Sequence, residues 1–159
     1  QSIEELVEVG RSSGVAAFNI IPDRNYTPGQ TDQKLENLNQ VVQLTQDLGL
    51  PLLGGTEMNS PGQKFVDDFN SPELAPHQPV FLQGSWILHA HSTLQRYAGM
   101  GYLSEWANNQ FPDVSAKNEF YASFGENFSP RGDDQLRDSL DSEMGPKEVI
   151  DLMTRVMAA

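Results

Sequence analysis

An apolar run, an amphipathic stretch and a second apolar run follow one another between residues 15 and 56, and this order constrains the fold more than any other feature. VAAFNII at 15–21 is continuous, of strand length, and ended by Pro22-Asp23-Arg24-Asn25. Residues 31–48 then put Leu35, Leu38, Val42, Thr45 and Leu48 on one helical face, with Val41 and Leu44 beside them, before Gly49 stops the pattern. Residues 50–56 supply the second apolar run. Buried strand, amphipathic helix and buried strand in succession predict a βαβ unit with parallel strands.

SWILHA at 85–90 reads as a third buried strand of the same sheet. Ahead of the first strand, Ser2-Ile3-Glu4-Glu5 is a capping box that opens a short helix with Ile3, Leu6 and Val7 on one face. Further helices are expected at 64–69, 93–108 and 116–124, and a last amphipathic one at 147–157, introduced by Pro146. The reading is a single α/β domain over 1–159, with βα units in 1–92 and a mostly helical remainder in 93–159. Three strands are few for a closed barrel, so the architecture is a small α/β sandwich or part of a barrel.

Charge narrows the function. Ten Lys and Arg against 22 Asp and Glu give a net charge of −12, a field that repels phosphate backbones and anionic lipid, so neither nucleic acid nor a membrane surface is an expected partner. No apolar stretch approaches the roughly 20 residues of a membrane span. An anionic substrate needs a local cation, either a bound metal or a placed arginine. The chain has no cysteine, which excludes thiolate metal sites and disulfides and suits any compartment. With no signal-peptide core the expected location is cytoplasmic, and the start at Gln1 reads as a piece of a longer chain.

In parallel α/β folds, ligands bind at the carboxyl ends of the strands. The first predicted strand ends in Asp23-Arg24-Asn25, the second in Glu57, and the third in His89-Ala90-His91. On a strand, His89 and His91 share a side because the side-chain period is two. Imidazole and carboxylate together suit Zn, Mn or Fe, so a divalent metal held by Glu57, His91 and His89 is the predicted chemistry, with Asp23 and Arg24 beside it. Each end also has a structural explanation: a polar turn at Asp23, a turn cap at Glu57, a hydrogen-bonded core residue at one histidine. Asn25-Tyr26-Thr27 and Asn127-Phe128-Ser129 match the glycosylation acceptor pattern, but nothing in the sequence places the chain in a secretory pathway; Arg131-Gly132-Asp133 resembles an adhesion tripeptide, which a charged loop explains better.

Three segments resemble one known family. SIEELVEVGRSSGVAAFNIIPDRN, LGLPLLGGTEMN and WILHAH are similar, in that order over roughly residues 2–92, to the strand ends of PHP-domain metallohydrolases. The resemblance implies a distorted β/α (PHP/TIM-like) barrel that binds several metal ions and hydrolyses phosphate esters. It puts Glu57 on the family's metal-bridging glutamate, His91 on a metal-ligating histidine and Asp23 on the aspartate of an Asp-His-Asn motif. Arg24 stands where the family has a ligating histidine; an arginine cannot ligate, but its fork can clamp a phosphate or carboxylate. The family's first His-x-His strand has no counterpart here, and Ser92 replaces the proline after the last histidine.

Two functions follow as expectations. The first is a PHP-type metal-dependent hydrolase of a phosphate ester or other small anionic substrate, with Asp23 and Arg24 at the reacting group. The second is a non-catalytic α/β binding or assembly domain that has lost its metals. In either case an open sheet edge is expected to be covered by a second copy or by a missing segment of the same chain.

Overall fold

β1 (Phe18–Ile20) and β2 (Leu52–Gly54) pair in parallel, with Phe18 opposite Leu52, Asn19 opposite Leu53 and Ile20 opposite Gly54. The computed structural model describes residues 2–22, 32–57, 61–62 and 65–159. Between the strands runs α2 (Asp32–Asp47), which buries Leu38, Val42 and Thr45, one face of the predicted stripe. Gly49 ends it with a φ of 64°, a conformation that costs glycine little. The βαβ unit is therefore present, with strands of three residues each.

The expected sheet ends there. Residues 85–90 are not a strand: they lie inside α3 (Gln78–Ala98), a helix of 21 residues. The described residues contain two parallel strands in one small sheet and are otherwise mostly helical, so a PHP- or TIM-like barrel is overturned. The physical reason is the period. Phe81, Gly84, Ile87, Ala90 and Leu94 are all buried, at intervals of three and four residues, and that is a helical face rather than a pleat. A short apolar run read alone cannot distinguish the two. Gly84 puts the backbone of α3 against β2, since a Cβ there would lie 2.1 Å from the Leu52 carbonyl oxygen.

The chain divides into two compact units, Gln1–Gly84 and Ser85–Ala159. In the first, α1 (Ile3–Ser12) begins at the predicted capping box: Ser2 Oγ accepts from the Glu5 N–H at 3.2 Å and Glu5 accepts from the Ser2 N–H at 3.1 Å. The Gln40 amide of α2 donates to the Glu4 carboxylate of α1. Leu38, Val42, Leu52, Leu74 and Phe81 form the core, and Phe69 meets Phe81 edge-on with ring centroids 5.7 Å apart. Truncating a fully buried leucine such as Leu38 to alanine costs about 2–5 kcal/mol in sites of this kind. The short helix expected at 64–69 is absent over its described part, residues 65–69.

The second unit is helical: the rest of α3, then α4 (Glu105–Gln110), α5 (Val114–Asn127), α6 (Asp133–Ser139) and α7 (Pro146–Ala158). The helix expected over 93–108 is two helices, because Gly99 at φ 67° terminates α3 and Ser104 caps α4 through the Ala107 N–H at 3.1 Å. Asp113 caps α5 by accepting from the N–H groups of Ser115 and Ala116. Tyr121, Phe124, Leu94, Met100, Leu136 and Val149 are fully enclosed in the core. Trp106, Phe111, Phe120 and Tyr121 stack in tilted and edge-on pairs beside them, and Trp106 Nε1–H donates to the Met144 carbonyl at 2.9 Å. No helix among the described residues is long and apolar enough to cross a membrane.

Candidate functional site

The proposed metal set is taken apart by the helix that carries its histidines. Residues two apart on an α-helix diverge by about 200° around the axis, whereas on a strand they would share a face. His89 stacks on Phe128, with ring centroids 5.9 Å apart and an interplanar angle of 24°. His91 turns the other way, and its Nδ1 accepts the backbone N–H of Tyr102 at 2.9 Å.

That hydrogen bond fixes the chemistry of His91. With Nδ1 accepting, the neutral ring carries its proton on Nε2. A histidine that ligates a metal through one ring nitrogen normally donates its other N–H to a carboxylate or carbonyl. Here the other nitrogen faces a donor, so ligation through Nε2 would set two N–H groups against each other. The ring is a hydrogen-bond acceptor that holds the loop after α3, where Gly101 N–H also donates to Gln95 Oε1 at 3.1 Å.

Glu57 lies three residues beyond β2, half-buried, in the first unit, while His89 and His91 belong to the second. Asp23 and Arg24 lie outside the described residues. Among the described residues there is no group of three or more His, Cys, Asp and Glu side chains that could hold a metal ion. His77 pairs its Nε2 with Asn39 Oδ1 at 2.7 Å, and burial lowers its pKa from the ordinary value.

A polar cluster that no local pattern announces forms around Tyr102. Its hydroxyl donates to Asn118 Oδ1 at 2.5 Å, its N–H goes to His91, and Lys117 Nζ sits 4.4 Å from its ring centroid. Burial pushes the Tyr102 phenol up to about 12 and lowers the Lys117 ammonium. Tyr121 donates to the Met100 carbonyl at 2.6 Å, and burial raises its phenol as well. These contacts fasten α3 and α5 to the loop between Met100 and Ser104. No periodicity reveals them, because each joins residues more than ten positions apart.

The remaining motifs are structural where described. In Arg131-Gly132-Asp133, Gly132 is buried in a 3₁₀ turn (Pro130–Gly132) and the Asp133 carboxylate accepts the Tyr97 hydroxyl. In Asn127-Phe128-Ser129, Phe128 is buried and Asn127 Nδ2 donates to the Ser123 carbonyl at 2.9 Å. Asn25-Tyr26-Thr27 lies outside the described residues. No protein-family model matches the chain, and no curated protein or solved structure matches it either.

Proposed function

We propose that this chain is a non-catalytic binding or assembly module rather than a metal-dependent hydrolase. The observation that carries the reading is the Tyr102 N–H donated to His91 Nδ1, which commits the best candidate ligand to a structural role. The divergence of His89 and His91 on α3 supports it, since a shared ion cannot use both. What the surface offers instead is apolar: Leu6, Val9 and Val15 stand exposed in the first unit of a chain whose other surface is heavily acidic.

The test is turnover. The protein, with Glu57→Gln, His91→Ala and Arg24→Ala variants, is assayed on p-nitrophenyl phosphate with Zn²⁺ or Mn²⁺ added, alongside calorimetric titration of each metal. The module reading expects no metal-dependent turnover and no histidine-dependent metal binding. Turnover that rises with metal and is lost in both Glu57→Gln and His91→Ala would restore the hydrolase, with Asp23 and Arg24 as its further residues.

A further inference from the structure

α1 has one flank that its own unit leaves open. Val7 is buried, and Glu4 accepts from Gln40, which turns that side toward α2. Leu6 and Val9 lie about 140–200° round the axis from Glu4, away from α2, and are 58% and 55% exposed. Gly10 follows Leu6 by one turn. The Val15 N–H donates to the Gly10 carbonyl at 3.0 Å, and the Val15 Cβ lies 3.6 Å from the position of a Gly10 Cβ. Val15 is itself 39% exposed, so the apolar ridge continues from Leu6 and Val9 round the C-terminal end of α1.

The flanking charge is of one sign. Glu5 precedes Val9 by one turn, and Glu4, Glu5 and Glu8 are all exposed. The helix's single cation, Arg11, is already paired with Glu8 at 3.2 Å. With a net charge of −12 on the chain, an acidic partner or an anionic lipid surface would be repelled at the moment of contact.

We infer that the Leu6–Val9–Val15 ridge docks a basic amphipathic helix of another protein. This rests on the binding-module reading and names the partner's chemistry. The partner's apolar residues at i, i+3 and i+7 lie along the ridge, and its lysines or arginines reach Glu5 and Glu8. Because the ridge is short, the affinity is modest and depends on salt.

The probe is a fluorescein-labelled 18-residue helix of leucine and lysine with a single leucine stripe. Its controls are a scrambled peptide of the same composition and a leucine–glutamate counterpart. Anisotropy titration against the full chain should give saturable binding of the striped lysine peptide, at least about tenfold weaker binding of both controls, and a loss of about tenfold in a Leu6→Ser/Val9→Ser variant. Amide shifts should concentrate at residues 3–15. Both substituted side chains are exposed, so the variant folds, and circular dichroism checks it.

Equal binding by the scrambled peptide, no effect of the double variant, or shifts centred elsewhere would overturn the inference. So would self-association of the chain through this ridge in sedimentation, which would make a second copy the occupant. Those outcomes leave the turnover assay as the judge of the module reading. Conversely, metal-dependent turnover would remove that reading whatever the peptide does.

Discussion

Gly125 is where the helical unit is most sensitive to a single carbon atom. It lies in α5 facing α3, and a Cβ built on it would sit 2.0 Å from the Trp86 carbonyl oxygen, where real contacts are no closer than 3.0 Å. Gly125→Ala therefore requires the two backbones to separate by about 1 Å in a close-packed core. Neither side is a flexible side chain that could swing away. Overpacking of this kind costs about 1–3 kcal/mol, and removing a helical glycine returns about 0.5–1 kcal/mol, so the net loss is centred near about 1 kcal/mol.

The sign is what the experiment decides. Helix propensity alone makes Gly125→Ala stabilising; the close approach makes it destabilising. Both tryptophans, Trp86 and Trp106, lie in the second unit, so their emission during urea unfolding reports that unit alone. With a urea slope near 1–3 kcal/mol per molar for small domains, the midpoint should fall by about 0.3–1 M. Gly10→Ala, in the first unit and therefore followed by circular dichroism, is the control, because its new Cβ would meet Phe18 Cζ at 2.9 Å, the far end of a ring that can yield. A Gly125→Ala midpoint equal to or above wild type would mean that α5 does not approach Trp86 as described.

Three further outcomes follow from the polar contacts. His91→Ala leaves the Tyr102 N–H without its acceptor, and should cost about 1–2 kcal/mol while speeding hydrogen exchange at that amide; exchange as slow as in the wild type would refute the assignment. Burial holds the Tyr102 phenol up to about 12, so its stabilising contribution is complete below about pH 10 and is lost as pH rises from there through about 12. Absorbance at 295 nm should show its late ionisation, and Tyr102→Phe should flatten the loss of stability in that window. Burial lowers the His77 pKa, so the unfolded state binds its proton more readily, and stability should decline as pH falls from about 6.5 through the lowered value. His77→Gln should remove that slope; an unchanged profile would assign the acid sensitivity to other groups.

Local information in the sequence settles the βαβ order, the capping box at Ser2 and Glu5, the stop at Gly49 and the helix opened by Pro146. Each is written within one turn or one hydrophobic period, and short-range sterics and hydrogen bonding suffice to enforce it. The identity of 85–90 was also legible, but only over a longer window: Phe81, Gly84, Ile87, Ala90 and Leu94 declare a helix that SWILHA alone does not. Read as a strand, His89 and His91 became a ligand pair and drew Glu57 after them. Tertiary structure alone decides what those histidines do. A proton's place on an imidazole is set by the group facing it, and for His91 that group is the backbone of Tyr102, eleven residues on and past the bend at Gly99. No sequence pattern specifies such a partner, because it is chosen by where two packed helices bring the chain back upon itself.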